Sequence, residues 1–219
     1  LLASGGSFGI VFAAISIGSV AVVGSMAGTG LVSLALFSAL VMNESLTKEK
    51  LLAIAAIVIG AAAVALAQGD GDSSYHPLLL WAIPAVTSVI GALGWMLTPQ
   101  GTRKGVVIAA FSGFLGAYSQ LFQKRSSTAF SADATFRDIL ETVATDPLTI
   151  VWIGFSAASM VVLQFAYRHG EAIRTIPAFT TAFIITPVIG GVLVFGETLS
   201  AVQWVGVVVI LVGGARVSA

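Results

Sequence analysis

The feature that most constrains this chain is its succession of long apolar runs. A transmembrane helix needs about 20 mainly apolar residues to cross the hydrocarbon core of a bilayer. The lengths of the runs and the lack of sustained period-two alternation favour helices over barrel strands. We therefore predict an all-α, polytopic membrane protein with about eight transmembrane helices. The eight segments are Leu1–Ala14, Val20–Met42, Lys50–Leu66, Leu78–Met96, Gly105–Gln123, Leu148–Tyr167, Ile173–Phe195 and Leu199–Arg216.

Composition supports the same class of protein. Of the 219 residues, 57% are hydrophobic and only 9% are charged, whereas a soluble domain carries roughly 25% charged residues. Ten basic residues balance ten acidic ones, so nothing indicates a nucleic-acid partner. Cysteine is absent and the two histidines, His76 and His169, lie far apart. We therefore expect neither a metal site nor a cofactor.

A short motif occurs twice. Residues 41–47 read VMNESLT and residues 194–200 read VFGETLS, and a shift of 153 residues superposes Glu44 on Glu197. A glycine follows each glutamate by sixteen residues, at Gly60 and Gly213. Five predicted helices separate the two glutamates, and this odd number places them on opposite sides of the membrane. The chain is therefore predicted to contain inverted repeats, which are typical of secondary transporters.

The second copy of the motif lies in a longer stretch that resembles a known family. Residues 169–214, HGEAIRTIPAFTTAFIITPVIGGVLVFGETLSAVQWVGVVVILVGG, are similar to the last two helices of an EamA-type transporter of the drug/metabolite transporter superfamily. The matching residues are Pro177, Pro187, Gly196, Glu197, Gln203, Gly206, Gly213 and Gly214.

The resemblance implies ten helices in two inverted five-helix repeats, with both termini cytoplasmic. Residues 1–67 would be the last three helices of the first repeat and residues 78–219 the complete second repeat, so the first two helices of the fold are expected to be missing. The first copy departs from the pattern, with Asn43 in place of Gly196 and Gly24 in place of Pro177.

The distribution of basic residues predicts the orientation, since cytoplasmic loops carry an excess of Lys and Arg. When successive loops are assigned alternately to the two sides of the membrane, seven basic residues fall on one side and three on the other. The chain is thus expected to be a multi-pass protein of the inner or plasma membrane with a cytoplasmic C-terminus. The inner set is Lys48, Lys50, Arg103, Lys104, Arg168, Arg174 and Arg216, and the outer set is Lys124, Arg125 and Arg137.

The longest polar segment spans residues 124–147. Apolar residues recur there at helical spacing, which is compatible with a lid or interfacial helix. A solvated connector with one amphipathic turn is the simpler interpretation and is the one we favour. The spaced residues are Phe136, Ile139, Leu140 and Val143.

The glutamates Glu44 and Glu197 have two interpretations. They could couple transport to protons, since acids near membrane helices are often functional. Alternatively, they serve a structural corner: Ser200 and Gln203 form a capping box for the last helix, and a carboxylate just before it favours the positive end of the helix dipole. We favour the corner.

Polar residues inside the predicted helices are the candidate substrate-binding groups. A single Ser or Thr can bond its own helix backbone, but a glutamine amide in lipid must find partners. Two prolines in one helix, Pro177 and Pro187, each free a carbonyl group and are candidate hinges, although a fixed kink is an equal alternative. The candidate binding residues are Ser25, Thr29, Ser88, Trp95, Gln120, Gln164 and Thr181.

Together these features predict a secondary transporter, or permease, that moves small organic metabolites by alternating access and is not an enzyme. The expected partners are the lipid bilayer and a small-molecule substrate, with a homodimer left open. One alternative is a lipid-linked-sugar flippase of the same superfamily. A less favoured alternative is an intramembrane lipid-modifying enzyme, which would need clustered acids or an activated nucleophile within the bilayer.

Overall fold

The computed structural model describes residues 47–66, 75–127, 141 and 145–218, which form six α-helices. The first two predicted segments and most of the 124–147 segment lie outside the described residues, as do Ser25, Thr29 and Glu44. The helices are α1 (Lys48–Leu66), α2 (Pro77–Leu97), α3 (Thr102–Ser127), α4 (Pro147–Tyr167), α5 (Ala172–Phe195) and α6 (Ala201–Ser218).

Each helix matches a predicted segment within a few residues. The largest difference is α3, which was predicted over Gly105–Gln123 and extends to Ser127. The helix continues through polar residues at both of its ends, whereas the sequence prediction followed only the apolar run. Within the described part of the chain, four helices are long and apolar enough to cross a membrane, namely α2, α3, α4 and most of α5. Helices α1 and α6 contain the shorter apolar stretches Leu51–Ala65 and Ala201–Gly213. The all-α, polytopic membrane class is confirmed at this level.

Helix α3 lies at the centre of the described bundle. It packs against α2, α4 and α5, and 78% of its apolar span is buried, compared with 11% for α2 and for α4. The outer faces of the peripheral helices expose large apolar side chains such as Val86, Met96 and Val161. Exposed apolar surface on this scale indicates contact with lipid or with another membrane helix.

Helices α1 and α6 form a separate antiparallel pair, which joins the bundle through α5. A Cβ atom on Gly60 would lie 2.6 Å from the carbonyl oxygen of Gly206 and 2.8 Å from Cγ1 of Ile210. The backbones approach each other so closely that only glycine fits at these positions. Small residues allow such approach in membranes, where van der Waals contact replaces the hydrophobic drive.

A second contact between α1 and α6 repeats the first with the two helices exchanged. A Cβ atom on Gly213 would lie 2.8 Å from the carbonyl oxygen of Ala53 and 2.8 Å from Cγ1 of Ile57. Adding the repeat shift of 153 to positions 53, 57 and 60 gives 206, 210 and 213. Each residue in the first contact therefore has its counterpart on the opposite helix in the second. Reciprocal contacts of this kind define a local two-fold relation between two elements.

Side chains cap the N-terminal ends of α4 and α6. Asp146 precedes α4 and accepts hydrogen bonds from the backbone N–H of Thr149 at 2.8 Å and from the hydroxyl of Ser126 at 2.7 Å. The bond from Ser126 ties the end of α3 to the start of α4. Burial raises the pKa of the Asp146 carboxyl, but the hydrogen bonds from Thr149 and Ser126 outweigh it and leave the pKa below its ordinary value.

The predicted capping box of α6 is present. The backbone N–H of Ser200 donates to Oε1 of Gln203 at 2.8 Å, and the backbone N–H of Gln203 donates to Oγ of Ser200 at 3.3 Å. The amide Nε2 of Gln203 also donates to the carbonyl oxygen of Val64 at 3.1 Å. One glutamine thus caps α6 and fixes it to the end of α1.

The close approach at Gly60 predicts a large difference between two Gly→Ala variants. Gly60→Ala should lower the free energy of unfolding by about 1–3 kcal/mol, because the added methyl group meets backbone that must move. The matched control is Gly154→Ala on α4, where an added Cβ meets nothing within 4 Å. That variant should be as stable as the parent or gain up to about 1 kcal/mol from helix propensity.

Thermal unfolding in detergent, followed by circular dichroism, measures both variants. Equal melting temperatures for Gly60→Ala and Gly154→Ala would show that α1 and α6 do not pack through these glycines.

Candidate functional site

A cavity of about 280 Å³ lies between α3, α4 and α5. Its lining residues recur at spacings of three, four and seven along α3 and α4, so they lie on one face of each helix. It therefore lies on the inner faces of three helices. The lining residues are Gly116, Ser119, Gln120, Gln123, Trp152, Ser156, Ser159, Met160, Phe179 and Phe183.

Two polar groups of this lining have no hydrogen-bond partner within the described part of the chain. They are Oε1 of Gln120 and the indole Nε1 of Trp152, and both atoms are buried. Gln120 is only 7% exposed. A buried acceptor or donor left unpaired costs about 1–3 kcal/mol. Both side chains line the cavity, although the two unpaired atoms themselves have almost no accessible surface.

Two of the three serines that line the cavity, Ser119 and Ser159, donate hydrogen bonds to the backbone. Ser159 donates its hydroxyl to the carbonyl oxygen of Ser112 at 2.9 Å, and Ser112 donates to the carbonyl oxygen of Ser159 at 2.7 Å. This reciprocal pair fixes α3 to α4 beside the cavity. Ser119 donates to the carbonyl oxygen of Gly116 within its own helix at 2.6 Å. These three hydroxyl groups therefore donate to backbone carbonyl oxygens of α3 and α4.

Aromatic rings form one wall of the cavity. Phe179 and Phe183 of α5 stack with their centroids 5.5 Å apart and their planes inclined by 25°. Gly116 lets the Phe183 ring approach α3, since a Cβ there would lie 2.9 Å from two ring carbons. The wall thus presents flat apolar surface next to the polar groups.

The sequence-predicted binding residues are only partly brought together. Gln120 lines the cavity, and the buried hydroxyl of Thr181 on α5 has no partner in the described region, although Thr181 is not part of the lining. Trp95 packs against Phe165 with centroids 5.8 Å apart, away from the cavity. Ser88 is half-buried on α2, and Gln164 is exposed on α4. None of these last three lines the cavity.

Sequence reasoning missed most of the lining. Trp152 and Ser156 lie one helical turn apart, and so do Phe179 and Phe183, but each residue type is ordinary in an apolar helix. One signal was present: Gly116, with the residues three, four and seven positions later, forms a stripe of small and polar residues along α3. The prediction used only Gln120 from that stripe.

An ion pair between a partly exposed lysine and a buried glutamate lies at the end of the bundle next to the cavity. Lys124 directly follows the lining residue Gln123, and its Nζ lies 2.6 Å from Oε1 of Glu197. Glu197 is only 6% exposed. Gly191 leaves room for the carboxylate, because a Cβ there would overlap Oε2 of Glu197. The chain reaches this corner through Gly196, whose φ of 62° is a left-handed conformation that favours glycine.

Aromatic side chains surround the ion pair. Lys124 lies 4.9 Å from the centroid of Phe195, which stacks on Tyr75 at 6.1 Å, and Arg125 lies 5.0 Å from the centroid of Tyr75. The predicted corner at Glu197 thus includes a pairing with Lys124 that was not foreseen. The corner connects the end of α3, the end of α5 and the segment before α2.

The candidate hinges Pro177 and Pro187 are both buried within α5, which continues through them. Neither proline can donate a backbone hydrogen bond, so each leaves a carbonyl one turn earlier without its helical partner. For Pro187 that carbonyl belongs to Phe183, which lines the cavity. The described residues contain no group of three His, Asp or Glu side chains placed to hold a metal ion.

The fold and the cavity define a polytopic helical membrane protein with a partly polar site between three helices. Comparison with protein-family models, with curated proteins and with solved structures found no match to this chain.

The ion pair predicts energetic coupling between Lys124 and Glu197. In a double-mutant cycle of Lys124→Met and Glu197→Gln, we expect a coupling free energy of about 1–3 kcal/mol. The reason is that the carboxylate is almost fully buried, so loss of its cation is not compensated by water. The free energy of unfolding in micelles is measured for the parent, both single variants and the double variant.

The matched control pairs Lys124→Met with Glu171→Gln, an exposed acid before α5. That cycle should give no coupling. Equal coupling energies in the two cycles would mean that the Lys124–Glu197 contact does not stabilise the corner.

Proposed function

We propose that this protein is a secondary transporter that moves small organic molecules across a cell membrane by alternating access, with the cavity between α3, α4 and α5 as part of the substrate path. The observation that carries the proposal is that α1 and α6 make the same contact twice, with the roles of the two helices exchanged. In the first contact Gly60 of α1 packs against Gly206 and Ile210 of α6, and in the second Gly213 of α6 packs against Ala53 and Ile57 of α1.

The exchanged contacts support two inverted repeats. Two antiparallel membrane helices related by a local two-fold axis place that axis in the plane of the membrane, which is the symmetry of inverted-topology repeats. The same shift of 153 relates the two motifs around Glu44 and Glu197. Sequence and packing thus give the same relation from different observations. On this proposal α1 ends the first repeat, and α2 to α6 form the second.

Inverted repeats give alternating access a physical basis. If the two halves are equivalent, exchanging their conformations converts an inward-open state into an outward-open state of similar energy. The cavity supplies a site at which such a cycle can hold a substrate. The Lys124–Glu197 corner closes one end of the bundle beside it, and with a cytoplasmic C-terminus this end faces outward.

The resemblance to EamA-type transporters of the drug/metabolite transporter superfamily supports the same function. The corner residues that carry it have structural roles here, since Gly196 supplies the left-handed turn and Gln203 the capping box. Gly206 and Gly213 supply the close contacts with α1.

The proposal predicts protein-dependent flux that requires Gln120. The purified protein is reconstituted into vesicles preloaded with a mixture of small organic metabolites, with and without a proton gradient, and efflux is read by mass spectrometry. We expect at least one metabolite to leave faster than from protein-free vesicles. Gln120→Leu should slow that flux at least tenfold at equal protein yield, because it removes a cavity hydrogen-bonding group.

The control is Gln164→Leu, which changes an exposed glutamine outside the cavity and should keep the parental rate. Absence of protein-dependent flux for every metabolite would contradict transport, and equal loss in both variants would contradict this cavity as the path.

A further inference from the structure

We propose that the end of the bundle opposite the Lys124–Glu197 corner binds an anionic phospholipid, whose phosphate lies against a cluster of basic side chains. This basic cluster consists of Arg103, Lys104, Arg168 and Arg174. The inference concerns a lipid partner and does not depend on whether the protein transports a substrate. Three observations carry it: the fold brings these cations together, no carboxylate of the described residues neutralises them, and exposed apolar side chains adjoin them.

Close backbone packing brings the basic cluster together from separate parts of the sequence. A Cβ atom on Gly105 would lie 2.8 Å from the backbone nitrogen of Gly170, so the first turn of α3 touches the connection between α4 and α5. The cluster surrounds this contact. Arg103 and Lys104 lie in the first turn of α3, Arg168 caps the end of α4, and Arg174 lies in the first turn of α5.

The cluster has no acidic partner within the described part of the chain. None of its four cations lies within 4.0 Å of a carboxylate oxygen there, although Glu171 is close in sequence. The opposite end of the bundle differs, because Lys124 is paired with Glu197. An excess of Lys and Arg on one side orients a membrane protein, but orientation alone requires no clustering. Basic groups gathered between membrane helices are suited to the phosphate of an anionic head group.

Exposed apolar side chains beside the cluster offer a surface for acyl chains. Met96 and Leu97, at the end of α2, are 79% and 78% exposed. Trp95 of the same turn packs against Phe165 of α4 with centroids 5.8 Å apart, and the guanidinium of Arg168 lies 5.2 Å from the Phe165 centroid. Exposed apolar surface and an unneutralised cation therefore lie side by side, as an amphipathic lipid requires.

Trp95 provides a fluorescent reporter of lipid at this end. The chain has four tryptophans, and the other three lie near the starts of α2, α4 and α6, at the opposite end. A variant with Trp81→Phe, Trp152→Phe and Trp204→Phe therefore keeps Trp95 alone. It is reconstituted into phosphatidylcholine bilayers in which part of the lipid is replaced by chain-brominated phosphatidylglycerol or chain-brominated phosphatidylcholine. Quenching of Trp95 by bromine gives the relative affinity of each lipid.

We expect the affinity of brominated phosphatidylglycerol to exceed that of brominated phosphatidylcholine by about threefold or more, because the basic cluster favours the anionic head group. In the double variant Arg103→Gln and Arg168→Gln the two affinities should become nearly equal. The double variant Arg103→Lys and Arg168→Lys keeps the charge and should keep most of the preference. Circular dichroism of each variant checks that it is folded.

The matched control removes the same charge at the same end of the molecule from the other helix pair. Lys48 begins α1 and Arg216 lies in the last turn of α6, and both are exposed. Lys48→Gln combined with Arg216→Gln should leave the preference for phosphatidylglycerol unchanged. An equal loss in this control would show that total charge, rather than the basic cluster, attracts the lipid, and would overturn the proposal.

The remaining outcomes test the lipid itself. Equal affinities of the two brominated lipids, or no quenching by either, would contradict a lipid site at this end. Loss of the preference in excess glycerol 1-phosphate would identify a site for a soluble phosphate instead and would also overturn the assignment. None of these measurements involves flux, so a failure here leaves the transporter proposal to its own test.

Discussion

The structure depends on how helices associate where no hydrophobic effect draws them together. In lipid, association relies on close van der Waals packing and on buried hydrogen bonds. Both are found here in reciprocal form. Gly60 and Gly206 bring the backbones of α1 and α6 into contact, and Ser112 and Ser159 exchange hydroxyl-to-carbonyl bonds between α3 and α4. These contacts place the helices, and the larger apolar side chains fill the space around them.

The cavity differs from these tightly packed contacts. Along α3, Gly113 and Gly116 bring α5 close, with the carbonyl of Phe179 packed against the first and the ring of Phe183 against the second. Beside them Gln120 and Trp152 keep polar atoms that no neighbour in the described region satisfies. Buried polar atoms in membrane proteins are costly and are often retained for function. The hydroxyl groups of Ser112, Ser119 and Ser159 are bonded to the backbone and stabilise the packing of the helices, whereas Gln120 and Trp152 each keep one unbonded polar atom beside the cavity.

The sequence predicted the helices well because the bilayer imposes their length. It also predicted the α6 capping box, which depends on residues close together in the chain. It did not predict the pairing of Lys124 with Glu197, which are 73 residues apart. Nor could it separate Gln120 from Gln164. In a lipid-embedded helix both the lipid-facing and the protein-facing sides are apolar, so hydrophobic periodicity carries little information about which side is buried.

The proposed transport mechanism requires the cavity between α3, α4 and α5 to open alternately to the two sides of the membrane. Because the chain has no cysteine, a single cysteine in place of the lining residue Ser156 reports access directly. A membrane-impermeant thiol reagent is applied to oriented vesicles from either side, and entry of the same reagent into the vesicle lumen is followed in parallel. Alternating access predicts labelling from both sides while the vesicles stay tight to the reagent. Labelling from one side only, under every substrate and proton gradient tested, would contradict it.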